Sequence, residues 1–258
     1  MSNEDDRIRI ARPQCSSDLT ATALERCEAI LVATEEAFNV APMITGEQRG
    51  CRKPAAGVVG FRVERFPSKK NARDGVNIYF SCESSLESAF ALELERNRSF
   101  QAFVSQALAV PLPDGTKQIV DFIALDWEGI PHYREVKVSP SKTSHRAMEK
   151  VMTAQRVMRG WGLDYQIVYA DELPCGLPLS NLRYLYSQYT CVPTAVTQEL
   201  ILERLRAYLP STYGALRQQF GEEVAFLMFV GLLEVDLSKP VNYETVLTRC
   251  ATTAHGHR

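Results

Sequence analysis

The chain has 258 residues, of which 45% are hydrophobic and 23% charged, and its formal net charge is -2. That length suits one large domain or two modest ones, and the composition is that of an ordinary globular protein. The charge excludes a surface coated in positive residues, but a local basic face is enough to bind nucleic acid. Seven scattered cysteines with no CxxC pair point to reduced cytoplasmic thiols rather than a zinc site or a disulfide framework. The N-terminal MSNEDDRIRI is unlike a signal peptide, and no apolar run approaches the ~18 residues that span a bilayer. A membrane partner is therefore not expected.

In chain order, Leu19, Ala23, Leu24, Cys27, Ile30 and Leu31 recur at helical spacing and predict a helix over 17–38. Between Arg49 and Arg73 stand eight basic residues, Lys69, Lys70 and Arg73 among them, against the single acid Glu64. Such a stretch suits a phosphate-contacting arm, with a solvated loop as the alternative. A strand over 75–80 and a helix over 86–96, with Ser84 or Ser85 as its cap, come next. A strand over 103–112 ends at the turn Pro113-Asp114-Gly115. Apolar 119–126 and alternating 132–138, joined by Trp127-Glu128-Gly129, predict a hairpin. A helix over 142–159 is stopped by Gly160-Trp161-Gly162, and 165–169 reads as a last buried strand. The prolines and glycine at Pro174, Gly176, Pro178 and Pro193 predict a loose linker over 173–196. Beyond it, helices over 197–209, 211–220 (capped by Ser211) and 222–230, then a short strand or wing over 232–237, suggest a winged-helix or helix-turn-helix module.

The hairpin carries the chemistry. Asp121 stands early in an apolar strand, and Glu135-Val136-Lys137 follows on the partner strand. Residues two apart on a strand share a face, so Glu135 and Lys137 lie together, and pairing brings Asp121 across from them. Two close carboxylates repel, and a hard divalent cation such as Mg²⁺ relieves that repulsion. A bound ion activates water, and a neighbouring lysine orients the water or stabilises developing charge. On the hairpin alone, an exposed cross-strand ion-pair ladder with Asp121 as a strand-end cap remains the competing reading.

The order of motifs from Ser81 to Ser139 resembles the PD-(D/E)xK nuclease superfamily, and within it TnsA-like endonuclease subunits of heteromeric cut-and-paste transposases. The matching pieces are Ser84-Ser85-Leu86-Glu87, Leu92-Glu93-Leu94-Glu95, Phe103-Val104-Ser105-Gln106, Pro113-Asp114-Gly115, Val120-Asp121-Phe122 and Tyr133-Arg134-Glu135-Val136-Lys137. The helix with Lys150-Val151-Met152-Thr153-Ala154-Gln155 and the strand Tyr165-Gln166-Ile167-Val168 continue the series. Val120 stands where the superfamily's name has proline.

The resemblance implies an α/β fold: a restriction-endonuclease-like core, with a mixed sheet flanked by helices, over 57–172. It follows an N-terminal helical and basic region over 1–56 and precedes a linker and a small, mostly helical, winged-helix-like domain over 173–258. It implies Asp121, Glu135 and Glu87 as ligands of Mg²⁺, with Mn²⁺ substituting, and Lys137 as the catalytic lysine. Glu83 competes with Glu87 as the helix acid. It further implies cleavage of the non-transferred strand at transposon 5′ ends in a bacterial cytoplasm, beside a DDE transposase subunit and an AAA+ regulator ATPase. The alternatives are a stand-alone restriction or repair nuclease and a catalytically silent assembly subunit.

The DNA contacts expected near this centre are Lys142, Arg146 and Lys150, which recur every four residues. Gln155 is expected beside them, and a solvated helix face is the alternative. The helix over 211–220 is not strongly basic, which favours docking over groove reading for the C-terminal module.

Overall fold

The computed structural model describes residues 7–12, 19–40, 46–48, 50–51, 63–73 and 76–251. The chain divides into two compact units, Met1–Leu94 with Ser99–Leu173, and Pro174–Arg258 with Glu95–Arg98. Among the described residues no helix is long and apolar enough to cross a membrane.

The first unit is α/β. Its elements are α1 (Ala21–Asn39), the antiparallel hairpin β1 (Glu64–Arg73) and β2 (Val76–Cys82), α2 (Ser85–Arg96, its end falling in the second unit), β3 (Phe100–Pro111), β4 (Lys117–Asp126), β5 (Pro131–Lys137), α3 (His145–Gly160) and β6 (Asp164–Tyr169). The strands β3-β4-β5-β6 form one mixed sheet, antiparallel except for the parallel β5–β6 pair. The crossover through α3 supplies the parallel connection, as such a pair requires.

Alternation along the strands puts apolar side chains on both faces of the sheet. Val104, Val120, Ile123, Leu125, Tyr133 and Tyr165 share a buried cluster with Ile30, Leu31 and Phe38 of α1 and Val151, Ala154 and Met158 of α3. On the other side, Phe103 and Phe122 meet Phe80 of β2 and Phe90 of α2, with ring centroids 5.1 to 6.4 Å apart. The helix near the N-terminus therefore shares the core of the sheet. Its buried residues, Cys27, Ile30, Leu31, Thr34, Ala37 and Phe38, follow the helical repeat, and the Thr34 and Tyr133 hydroxyls join it to β5 at 3.0 Å.

Several boundaries differ from the sequence expectation. Lys69, Lys70 and Arg73, expected on a phosphate-contacting arm, stand in strand β1. The helix expected from 142 begins at His145, because Ser144 caps it by accepting the Ala147 N–H at 3.3 Å. Lys142 thus precedes α3 and does not share its face.

The second unit is mostly helical: α4 (Gly176–Ser187), α5 (Ala195–Leu205), α6 (Tyr213–Phe220), α7 (Glu223–Phe229) and a two-stranded antiparallel sheet of β7 (Ser211–Thr212) and β8 (Val246–Leu247). The stretch expected as a linker contains helix α4. Pro178 is its third residue, where the N–H has no partner within the helix anyway. Leu182, Leu185, Tyr186 and Tyr189 face inwards, and both tyrosine rings pack on Phe229 of α7, at 5.3 and 5.9 Å. The cap of α6 is Thr212 rather than Ser211. The stretch 232–237 forms no strand; Leu233 makes a single bridge with Cys250.

Candidate active site

The site lies at the C-terminal end of β5, where β4 and β5 part. Their antiparallel ladder runs from Leu125↔Pro131 to Phe122↔Arg134, so Asp121 and Glu135 face each other one step further on. There the Val136 N–H donates to Asp121 Oδ2 at 2.8 Å, a side chain taking the place of a strand carbonyl. Lys137 shares the face of Glu135, as the two-residue strand repeat dictates. Its ammonium donates to Glu135 Oε1 at 2.5 Å, Val136 O at 3.1 Å and Asp121 Oδ2 at 3.4 Å. The Glu135 side chain is 1% exposed, that of Asp121 15% and that of Lys137 21%. This is a half-buried cluster and not the exposed ion-pair ladder that the hairpin alone leaves open.

Two further groups hold Glu135. Gln118 Nε2 donates to its Oε1 at 2.9 Å, and the buried Tyr165 hydroxyl of β6 donates to its Oε2 at 3.1 Å. Neither was among the residues expected from sequence. Gln118 is a polar residue at a strand start and Tyr165 a core aromatic, and only the sheet register brings them to the carboxylate.

Burial pushes the Glu135 carboxyl up to about 7; the Asp121 charge acts the same way and Lys137 pulls back. For Lys137, burial works against the charged form, but the Asp121 and Glu135 carboxylates outweigh it and raise the ammonium's pKa. The lysine is therefore a firmly protonated donor lying between two acids.

Glu87 occupies the start of α2. Its carboxylate accepts the Glu83 N–H at 2.9 Å and the Ser84 hydroxyl at 3.1 Å, while Ser84 Oγ accepts the Glu87 N–H at 3.1 Å. Those reciprocal bonds cap the helix. Asp114 accepts the Thr116 N–H and hydroxyl in its turn. Among the described residues no group of three or more His, Cys, Asp or Glu side chains is placed to hold a metal ion. The oxygens that surround the Lys137 ammonium are those of two carboxylates and the Val136 carbonyl.

The expected DNA contacts divide into two groups. Lys142 and Arg146 are exposed, and Lys150 is half-buried near Asp114. Gln155 Nε2 reaches the Tyr165 carbonyl at 3.4 Å. In β1, Lys69 is buried, Lys70 donates to the Leu94 carbonyl at 2.5 Å, and Arg73 donates to the carbonyls of Phe38 at 2.7 Å and Val40 at 3.4 Å. The last two tie the β1–β2 hairpin to α2 and α1.

At the opposite end of the same strands, His132 bridges two acids, with Nδ1 2.6 Å from Asp164 Oδ2 and Nε2 3.0 Å from Asp126 Oδ2. Arg134 donates to Asp164 Oδ2 at 2.9 Å, and this cluster laces β4, β5 and β6 together. The sequence matches no protein-family model and no curated protein.

Proposed function

We propose that this protein is a Mg²⁺-dependent DNA endonuclease with a PD-(D/E)xK core and a winged-helix-like C-terminal domain. In this reading it is the subunit of a heteromeric transposase that cuts the non-transferred strand at transposon 5′ ends. The observation that carries the reading is the convergence of Asp121, Glu135 and Lys137, from adjacent strands, on one half-buried patch.

The donor set fits a hard cation. Asp121 Oδ2, Glu135 Oε1 and Val136 O already surround one positive charge, the Lys137 ammonium, and carboxylate and carbonyl oxygens are the ligands that Mg²⁺ prefers. Asp121, Glu135 and the Val136 carbonyl would hold the ion, with Glu87, and Glu83 as its competitor, the helix acid suggested by the motif order. A bound Mg²⁺ or Mn²⁺ supplies a Lewis acid for the phosphate and lowers the pKa of its water.

The chain's own groups do the rest. Lys137, giving up these oxygens to the ion, would orient or deprotonate the attacking water or offset charge on the phosphate. Burial holds the metal-free Glu135 carboxyl near 7, so a proton would compete with the cation for it. Tyr165 and Gln118 fix its two oxygens in place. Lys142 and Arg146, exposed after β5, would meet the DNA backbone.

The proposed partners are the transposon ends, a DDE transposase subunit and an AAA+ regulator. The test is strand cleavage on duplexes carrying the ends of the element that encodes the chain, in Mg²⁺, with and without the partner transposase. Partner-dependent cuts at the 5′ ends support the reading. Cutting of arbitrary DNA by the protein alone favours a stand-alone nuclease, and no cutting under any of these conditions refutes both.

A further inference from the structure

β3 pairs with β4 as Ser105↔Phe122 on one side of Asp121 and as Leu108↔Val120 on the other. Two residues, Gln106 and Ala107, therefore oppose one, Asp121. A bulge of this kind bends the strand and re-aims the side chain across from it. Gln106 has φ +48°, in the left-handed region that such bulges ordinarily fill with glycine, and it is buried. A non-glycine residue persists there only where its surroundings hold it.

Those surroundings come from a remote part of the chain. The Cys51 N–H donates to the Gln106 carbonyl at 2.7 Å. Gly50 lies so close that a Cβ on it would stand 2.4 Å from that carbonyl oxygen and 2.9 Å from Gln106 Cβ. The backbone of Gly50 is outside the left-handed region, so space, and not conformation, requires glycine.

We propose that the Gln106–Ala107 bulge, clamped by Gly50 and Cys51, is the positioning element that aims the Asp121 carboxylate at the Val136 amide and Lys137. The bulge acts through Asp121, whose Oδ2 receives the Val136 N–H at 2.8 Å, so that amide reports the aim directly. The catalytic consequence rests on the nuclease reading; the structural one does not.

The experiment compares the full-length wild type, Gly50→Ala and Gln106→Gly by amide hydrogen exchange, with Ile123 and Tyr133 as controls for the intact sheet. Gly50→Ala, which forces the clamp off the bulge, is expected to speed exchange at Val136 by about tenfold or more while the controls hold, because a displaced carboxylate no longer covers the amide. Gln106→Gly keeps the bulge conformation and is expected to keep wild-type exchange at Val136. In cleavage assays Gly50→Ala lowers kcat by about tenfold or more and leaves KM for DNA within about twofold, as expected for misplaced chemistry. If Gly50→Ala does not fold, Gln106→Val, a β-branched residue at φ +48°, makes the same perturbation from the other side. Unchanged Val136 exchange in the folded variant overturns the proposal, as does a loss shared equally by Ile123 and Tyr133. A wild type that never cuts DNA, but whose Val136 amide still responds to Gly50→Ala, removes the nuclease reading and supports the positioning role.

Discussion

Replacing Glu135 with glutamine separates what this residue does for stability from what it does for chemistry. Burial, with Asp121 adding to it and Lys137 opposing, moves the carboxyl from 4.5 to about 7. The folded state thus binds the proton more tightly than the unfolded state does. The favourable contribution of Glu135 is complete below pH ~4.5 and is lost as the pH rises through about 7. At ~1.4 kcal/mol per pH unit, that gap puts the cost of the buried charge at about 3 kcal/mol above pH 8. Glutamine keeps the shape and an acceptor oxygen for Tyr165 but carries no charge; it also gives up the charged partner of Lys137. Glu135→Gln is therefore expected to be more stable than the wild type at pH 8 by about 1–3 kcal/mol, and nearly equal to it at pH 5. The assay is urea unfolding in metal-free buffer followed by tryptophan fluorescence, because both tryptophans, Trp127 and Trp161, lie in the first unit. A variant no more stable than the wild type at pH 8, or a difference that ignores pH, would show that the folded protein does not carry a costly buried charge at Glu135. In the nuclease reading the same variant loses cleavage, a site that gives up stability for chemistry.

Tyr165→Phe removes the hydroxyl that donates to Glu135 Oε2 at 3.1 Å; it is expected to cost about 1 kcal/mol in the same fluorescence assay, and no change would mean that the bond is not formed in solution. The Asp164 hydrogen bond raises the pKa of His132 against the opposing effect of burial, and Asp126 adds to the rise. The stability that His132 contributes is therefore full below its ordinary value of 6.5 and fades as the pH rises through the raised value. An NMR titration is expected to find His132 above 6.5 in the wild type and lower in Asp164→Asn, and a wild-type value at or below 6.5 contradicts the hydrogen bond to Asp164. In the second unit, Asn181 donates to the Leu237 and Lys239 carbonyls at 2.8 and 2.7 Å and accepts the Val241 N–H at 3.1 Å. Asn181→Ala is expected to cost that unit about 2–4 kcal/mol by circular dichroism while the tryptophan transition stays in place; coincident shifts in both signals would show that the units unfold together.

The sheet was legible because its strands obey local rules. Alternation in 132–138, the apolar run in 119–126 and the turn at Gly129, which adopts φ +82°, specify the β4–β5 hairpin without reference to the rest of the chain. The pairing of Asp121 with Glu135 follows from that hairpin alone. Elements whose signal lies in tertiary contacts were harder to read. β1 is polar and contains Pro67, so nothing in its pattern announces a strand; it is a strand through its pairing with β2, as at Pro67↔Tyr79 and Ser68↔Ile78. Helix α4 is hidden by Pro174, Gly176 and Pro178, which read as a linker, although the spacing of Leu182, Leu185 and Tyr186 carries a helical stripe. Gln118, Tyr165 and the Gln106 bulge reach the site across strands, through a register that no single segment encodes. Glu87 shows the converse: one residue fits both a capping pattern and a ligand pattern, and the structure displays the cap.

The nuclease reading is tested by nicking of supercoiled plasmid or element-end DNA in Mg²⁺ by the wild type, Asp121→Asn and Lys137→Ala, together with the partner transposase. Circular dichroism of each variant confirms that the fold is kept. Cutting by the wild type is expected, with a loss of at least about a hundredfold in both variants, the scale seen when a transition-state contact is removed. Cutting by folded Asp121→Asn and Lys137→Ala at the wild-type rate would contradict that reading.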